Sequence, residues 1–119
     1  MRHVKPPIIP EAIIHEAVIE HLRTYAKPGV IFWHSPNGGK RSAQWAAKLK
    51  RMGVLPGVSD IVLFYGGQLF ALELKASNGR PTELQLAFIA SVEKQGGFGC
   101  VCHSIDAAVR VLKSWGVLL

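Results

Sequence analysis

The middle of the chain, residues 57–75, reads GVSDIVLFYGGQLFALELK and contains two apolar runs on either side of a glycine pair. Adjacent glycines between apolar runs are typical of a two-residue hairpin turn, because glycine readily adopts the positive φ angles that such turns require. The turn sets these pairs across the hairpin: Tyr65 with Gln68, Val62 with Ala71, and Asp60 with Glu73. A four-residue loop keeps this register, whereas a three-residue loop would change it.

The predicted register brings two carboxylates together at the open end of the hairpin. Asp60 and Glu73 become direct cross-strand neighbours, and like charges in that position destabilise a sheet unless a positive charge lies between them. Lys75 shares a face with Glu73 because alternate strand residues point the same way, while Leu72 and Leu74 point to the core. The cluster is either a structural group of ion pairs or a metal site. Mg²⁺ and Mn²⁺ prefer such oxygen ligands, so a metal site explains more of the pattern.

The first helix is predicted over residues 11–25 and carries two polar residues on its apolar side. At about 100° per residue, the apolar stripe consists of Ile14, Val18, Leu22 and Tyr25. Glu11 and His15 fall within this stripe, whereas Glu16 and Glu20 point elsewhere. A carboxylate and an imidazole that face the core are costly without partners, so both are candidates for contact with the hairpin cluster. The alternative is that Glu11 stays in solvent and stabilises the first helical turn.

The other segments alternate between helical and extended patterns. Strands are predicted at 30–33, 60–65, 68–75 and 99–103, and further helices at 42–52, 82–94 and 105–115. This order predicts an α/β fold whose sheet of about four strands is flanked by helices. At 119 residues, the chain is expected to form a single domain, 1–119.

The composition excludes several classes of protein. The chain is 49% hydrophobic and 18% charged, which is typical of a compact globular protein and argues against disorder. No apolar run has the length of a signal peptide or a membrane span, so we expect no membrane partner and a cytoplasmic location. Cys100 and Cys102 are expected to be reduced core residues, since a Cys-x-Cys-His zinc site would lack an obvious fourth ligand.

Positive charge is concentrated in one segment of the chain. The formal net charge is +6, and no acidic residue occurs from His21 to Ser59. This segment provides either a solvated helix face or a surface that neutralises nucleic-acid phosphates. The candidate nucleic-acid contacts are His34, Asn37, Lys40, Arg41, Lys48, Lys50 and Arg51. For His34, an ordinary hydrogen-bonding role is the alternative.

These motif residues resemble those of a known nuclease family. Gly57-Val58-Ser59-Asp60 is followed after twelve residues by Glu73-Leu74-Lys75, and then by Gln85 on the next helix. Together with Glu11 upstream and the order of elements, the pattern resembles the virus-type replication-repair nuclease (VRR-NUC) domain of the PD-(D/E)XK superfamily. The resemblance spans nearly the whole chain.

Two positions differ from that family pattern. Ser59 stands where the superfamily motif has proline, and His15 stands where a glutamine is expected on the first helix. The second difference leaves Glu11 and Glu16 as alternatives for the site carboxylate on this helix.

The resemblance implies a restriction-endonuclease-like fold with a central mixed sheet, and hydrolysis of nucleic-acid phosphodiester bonds with Mg²⁺ or Mn²⁺ as cofactor. The residues implied for catalysis are Asp60, Glu73, Lys75, Glu11 and Gln85. Those implied for metal binding are Asp60, Glu73, the Leu74 backbone carbonyl and Glu11. Lys75 would orient or deprotonate the attacking water, and Gln85 would contact the site from beside the sheet.

The resemblance implies a metal-dependent endonuclease acting on DNA. It also implies selectivity for four-way (Holliday) junctions or flaps, because small stand-alone members of this family look like phage-type DNA-repair enzymes, which act in a bacterial or phage-infected cell. A homodimer is expected, because paired cuts in a junction need two sites related by a twofold axis. A helicase or replication protein would be a further partner. The alternatives are a catalytically inactive DNA-binding module of the same fold, and a protein whose charged cluster is only structural.

Overall fold

The structure is a computed structural model that describes residues 4–36 and 42–119. The helices and strands of these residues follow the predicted order, and their bounds differ from the predicted ones by one residue at most. In chain order the elements are α1 (Glu11–Tyr25), β1 (Ile31–His34), α2 (Ala43–Arg51), β2 (Ile61–Tyr65), β3 (Gln68–Leu74), α3 (Glu83–Lys94), β4 (Phe98–Cys102) and α4 (Ile105–Ser114).

The strands form one mixed sheet in the order β1-β2-β3-β4. The β1–β2 and β2–β3 pairs are antiparallel, and the β3–β4 pair is parallel. Two parallel strands need a long crossover connection, and α3 supplies it here. The expected α/β fold, with a mixed four-stranded sheet flanked by helices, is therefore confirmed.

The glycine turn gives the hairpin the predicted register. Gly66 and Gly67 have φ angles of 59° and 77°, in the left-handed region that favours glycine and suits a two-residue hairpin turn. The ladder ends at the pair Ile61–Leu72, and Asp60 lies one residue beyond it. Asp60 is therefore placed at the end of the hairpin, although it is not itself part of the ladder.

Apolar packing holds helices against both faces of the sheet. On one face, α1 and α4 cover a core whose strand residues include Ile61, Leu63, Phe70, Leu72 and Leu74. On the other face, α3 packs through Ile89 and Val92 against Ala71. No residue of α2 is buried, so this helix lies outside both cores.

The apolar stripe of α1 is buried over three of its four predicted positions. Ile14, Val18 and Leu22 are at most 1% exposed, whereas Tyr25 is 48% exposed. The prediction for Tyr25 was wrong because Tyr25 is the last residue of the helix, where its ring packs against His21 with centroids 4.6 Å apart.

The two cysteines of β4 are free, as expected. Cys102 is buried, and its Sγ lies 3.8 Å from that of Cys100. His103 Nε2 lies 3.1 Å from the Gly79 carbonyl oxygen, so this ring is engaged with a loop. Across the described residues, no helix combines the length and the apolar character needed to cross a membrane.

Candidate active site

Asp60 joins the ends of three strands. It immediately precedes β2, and its Oδ2 accepts a hydrogen bond of 2.8 Å from the N–H of Leu74 at the end of β3. The Asp60 carbonyl oxygen accepts a bond of 3.0 Å from Ser35 N–H, and His34 Nδ1, at the end of β1, lies 2.7 Å from it. Asp60 is therefore held in place through both its side chain and its backbone.

The loop that leads into Asp60 depends on a glycine. Gly57 has a φ of +84°, and a Cβ at this position would lie 2.4 Å from the carbonyl oxygen of Leu84. Only glycine combines this backbone conformation with such a close contact. The start of the Gly-Val-Ser-Asp segment therefore packs directly on the first turn of α3.

Glu73 is a charged residue with 0% exposure. Among the described residues, neither its Oε1 nor its Oε2 has a hydrogen-bond partner, and Lys75 Nζ lies 3.9 Å from Oε1. Burial, and then the neighbouring Asp60 carboxylate, raises the pKa of Glu73 to about 8, although Lys75 acts in the opposite direction. A buried carboxylate without partners destabilises a fold, and a nearby cation would relieve that cost.

Glu11 adds a third carboxylate from the first turn of α1. One carboxylate oxygen from each of Glu11, Asp60 and Glu73 lies within 4.8 Å of the other two, and we name these three residues the carboxylate group. Burial raises the pKa of Glu11; Lys75 lowers it and Asp60 raises it further. Glu16, the alternative on this helix, is exposed and lines a different surface. The geometry thus brings Glu11 to the hairpin end.

The carboxylate group fits a hard divalent cation. Mg²⁺ and Mn²⁺ prefer oxygen ligands, and Mg²⁺ commonly takes one or two carboxylates together with waters. The two carboxylate oxygens of Glu73, which have no hydrogen-bond partner among the described residues, are atoms that such an ion would satisfy. The Lys75 side chain is 13% exposed, which leaves its ammonium at the margin of the group, where a water or a phosphate oxygen can reach it.

Two histidines adjoin the carboxylate group. His15 lies one turn after Glu11 on α1, His34 is the last residue of β1, and their rings meet edge to face with centroids 4.3 Å apart. One ligand atom from each of His15, His34 and Asp60 lies within 4.8 Å of the other two. Burial, and then His34, lowers the pKa of His15, against the effects of Asp60 and Glu16.

The sequence alone does not place these two histidines in one site. Its patterns make His34 a candidate nucleic-acid contact and put His15 on the side of α1 that carries Glu11. In the folded protein, His34 pairs with Ile61 across β1 and β2, and this pairing puts His34 beside Asp60. That register could not be read from the sequence, because no short turn connects β1 to β2.

Of two further predicted site residues, Gln85 bonds to Thr82, whereas Leu74 bonds to Asp60 of the carboxylate group. Gln85 Oε1 accepts a bond of 2.8 Å from Thr82 N–H, and Thr82 Oγ1 accepts one of 3.2 Å from Gln85 N–H. This capping box gives Gln85 a structural role at the start of α3. Leu74 is held beside the group by its bond to Asp60. Catalysis by Gln85 and metal binding by the Leu74 carbonyl stay predictions.

The basic residues of α2 form an exposed surface. Lys48, Lys50 and Arg51 lie in its last turn, and Lys48 Nζ lies 5.6 Å from the centre of the Trp45 ring. In the part of the chain that the structure describes, the only ion pair within 4.0 Å is Lys75–Glu73, so these charges lack acidic partners. The other basic-segment candidates, Asn37, Lys40 and Arg41, lie outside the described residues.

Comparisons with known proteins support the fold and its class. No protein-family model matches the chain, and no curated protein matches it. Three solved chains do match, and one of them, a "VRR_NUC domain protein", superposes with a TM-score of 0.73 at 25% sequence identity, over 90% of this chain and 88% of that chain. The chain therefore has a nuclease-type, restriction-endonuclease-like fold. The resemblance to the VRR-NUC domain is confirmed by this similarity in structure.

Proposed function

We propose that this protein is a divalent-metal-dependent endonuclease that hydrolyses DNA phosphodiester bonds, with four-way junctions or flaps as preferred substrates. The observation that carries the proposal is the buried Glu73 carboxylate, which has no hydrogen-bond partner among the described residues and lies beside two further carboxylates and Lys75. Such a site is costly to fold and suits a cation. The VRR-NUC fold gives independent support, because the fold is of the nuclease type.

In the proposed reaction, the carboxylate group and the Leu74 carbonyl would hold the cation. A bound divalent ion would lower the pKa of a coordinated water and offset negative charge on the phosphate. Lys75 would contact the attacking water and either orient it or accept its proton. The buried surroundings of Glu73 keep bulk water away from one side of the site, which strengthens electrostatic interactions there.

Cleavage assays with three DNA structures test the proposal. Labelled duplex, flap and four-way-junction DNA are incubated with the protein in Mg²⁺, in Mn²⁺ or in a chelator. We expect cleavage only with metal, fastest on a branched substrate, and its loss in Glu73→Gln. Glu93→Gln, which changes an exposed glutamate of α3, is the matched control and should cut normally. DNA binding without cleavage by the wild type would instead support a catalytically inactive DNA-binding module.

DNA binding is assigned to the basic end of α2 and to His34. Lys50 lines a cavity of about 570 Å³ together with Gly57 and Gln85, so this basic surface borders the segment that leads into Asp60. Changing Lys48, Lys50 and Arg51 to Gln should weaken binding to every DNA sequence, and should reduce the salt slope by about 0.9 for each lost phosphate contact. Binding titrations at several salt concentrations measure the slope. The control variant carries Lys94→Gln and Lys113→Gln, and an unaltered slope in the α2 variant would place the contacts elsewhere.

A homodimer would supply the two sites that paired cuts require. Ile31, Trp33 and Phe64 are 59%, 44% and 43% exposed, and they share a sheet face at the edge strand β1, since Ile31 pairs with Phe64. Exposed apolar side chains grouped in this way are typical of interaction surfaces. Light scattering should therefore report a dimer that Trp33→Ser weakens, whereas a monomeric wild type would exclude this arrangement.

A further inference from the structure

We propose a second cation site, formed by His15, His34 and Asp60, that takes a transition-metal ion able to accept imidazole nitrogen, such as Co²⁺, Ni²⁺ or Zn²⁺. This site is distinct from the carboxylate group in its donors, although the two share Asp60. The inference concerns metal binding alone and does not rest on DNA cleavage.

Three separate elements bring the donors together. His15 comes from α1, His34 ends β1, and Asp60 stands immediately before β2, which pairs with β1. One ligand atom of each residue lies within 4.8 Å of the other two, a spacing that a single ion can bridge after small side-chain movements. The edge-to-face contact of the two rings, with centroids 4.3 Å apart, holds both imidazoles at this point.

The hydrogen bond of His34 decides which of its nitrogens is free. Its Nδ1 lies 2.7 Å from the carbonyl oxygen of Asp60. A carbonyl oxygen can only accept a hydrogen bond, so Nδ1 must carry the proton and donate it. The lone pair of the neutral ring is then on Nε2. Proteins orient metal-binding histidines in this way, with one ring nitrogen donating to a carbonyl and the other facing the ion.

The donor set discriminates between metals. Mg²⁺ demands oxygen ligands in near-octahedral geometry, whereas imidazole suits zinc, nickel and similar ions. The carboxylate group offers three carboxylates, and the second site offers two imidazoles and one carboxylate. Asp60 can serve both sites because a carboxylate has about four lone-pair positions, of which one is used by Leu74 N–H. The two sites should therefore prefer different ions.

A solvent-accessible route leads to the histidines. His15 and His34 line a cavity of about 560 Å³ whose wall also contains Glu16, Glu20 and Arg23. The two glutamates make the approach attractive to a cation, and Arg23 opposes them in part. An ion can therefore reach the imidazoles from this side of α1.

Co²⁺ titration in excess Mg²⁺ tests the second site. Mg²⁺ competes for the oxygen donors of the carboxylate group, and Co²⁺ binding to the intact protein, without DNA, is followed by calorimetry and by visible absorption. We expect one bound Co²⁺ per chain in the wild type. His15→Gln and His34→Asn should each weaken it by more than the roughly 10–100-fold that loss of an outer-shell partner typically causes.

The two variants remove the ligand and keep the local structure. The asparagine amide in His34→Asn can still donate to the Asp60 carbonyl, as Nδ1 does, but it lacks the Nε2 lone pair. His21→Gln, which changes another histidine of α1, is the matched control and should bind Co²⁺ like the wild type. If His34→Asn fails to fold in a thermal melt, His15→Gln decides alone.

The inference is overturned if the wild type binds no Co²⁺ in excess Mg²⁺, or if both histidine variants keep wild-type affinity. A wild type that fails to cut DNA would contradict the proposed function and leave the Co²⁺ result standing.

Discussion

The two faces of β3 carry side chains that are equally buried but chemically different. Leu72 and Leu74 are fully buried, and both pack into the core under α1 and α4. Glu73 lies between them with the same 0% exposure and points to the opposite face, where neither carboxylate oxygen has a hydrogen-bond partner among the described residues. The two leucines stabilise the fold, whereas the burial of the Glu73 carboxylate costs stability.

This difference separates the residues of β3 that apolar packing explains from one that it does not explain. Apolar burial explains Leu72 and Leu74 without any reference to function. It does not explain Glu73, whose pKa is raised to about 8 by burial and by the neighbouring Asp60, and whose oxygens have no hydrogen-bond partner among the described residues. A residue that weakens the fold in this way is a candidate for binding or catalysis. Substitutions on the two faces should therefore have opposite effects on stability and activity.

The largest expected effect is on the functional side, at Lys75. Lys75→Ala should reduce cleavage by about 10²–10⁴-fold, the usual contribution of a residue that handles a proton in the reaction. DNA binding should stay near the wild-type value, because the proposed role is in the chemical step. Single-turnover cleavage and equilibrium binding measure the two quantities separately. Unchanged cleavage would remove Lys75 from the reaction, and an equal loss of binding would make it a DNA contact.

The next prediction compares the stability of two variants, each with one substitution on a different face of β3. Leu72→Ala should lower the free energy of unfolding by about 2–5 kcal/mol, because it leaves a cavity in a fully buried core. Glu73→Gln should leave the metal-free protein at least as stable as the wild type at pH 8. The glutamine side chain has nearly the same shape as the glutamate side chain but carries no charge. Urea unfolding in a chelator measures both. A Glu73→Gln variant as unstable as Leu72→Ala would mean that Glu73 has a structural role.

The fold could largely be predicted from the sequence because its signals are local. The Gly66-Gly67 turn sets the register of the hairpin, and alternation along the strands then identifies the core side of β3. The helix bounds follow from apolar spacing and from caps, as at Ser42, whose side chain accepts a hydrogen bond from Trp45 N–H. Tyr25 was misplaced because a periodic stripe does not show where the core ends.

The site was predictable only where one hairpin or one helix carries the residues. Asp60 and Glu73 follow from the turn, and Glu11 follows from its place on α1. The contact between His15 and His34 depends on pairing of β1 with β2 and on how α1 crosses the sheet, which are properties of the folded chain. The burial of Glu73 likewise cannot be predicted from the sequence, because it results from the packing of all the elements that surround this side chain.

A third prediction tests whether metal relieves repulsion between the facing carboxylates. Asp60→Asn keeps an oxygen that can accept the Leu74 N–H bond and removes one charge from the carboxylate group. Above about pH 8, where Glu73 is ionised, the metal-free variant should therefore melt at or above the wild-type temperature. Mn²⁺ should raise the melting temperature of the wild type, because it binds the native state only, and most of this rise should be lost in the variant.

Thermal melts of both proteins, with Mn²⁺ and with a chelator, decide this point, and Asp106→Asn on α4 is the control for loss of one aspartate. An Asp60→Asn protein that is clearly less stable without metal and still gains the full increment with Mn²⁺ would contradict the model of facing carboxylates.

The last expected effect is a pH dependence of stability that originates from Glu73. Its pKa is about 8 in the folded protein, compared with an ordinary value of 4.5. Between these values the native protein holds a proton that the unfolded chain has released. The stability contribution is therefore fully present below pH 4.5, falls as the pH rises through this window, and is lost above about pH 8. Glu73→Gln should lack this part of the slope.

Unfolding free energies of the metal-free protein, measured from about pH 5 to about pH 9, give the slope for each variant. Glu93→Gln should retain the wild-type slope, because that glutamate is exposed. A saturating divalent cation should also flatten the wild-type curve, since binding requires the ionised carboxylate and releases its proton. Equal slopes for the wild type and Glu73→Gln without metal would show that Glu73 ionises normally, and the contrast between the two faces of β3 would then lose its electrostatic basis.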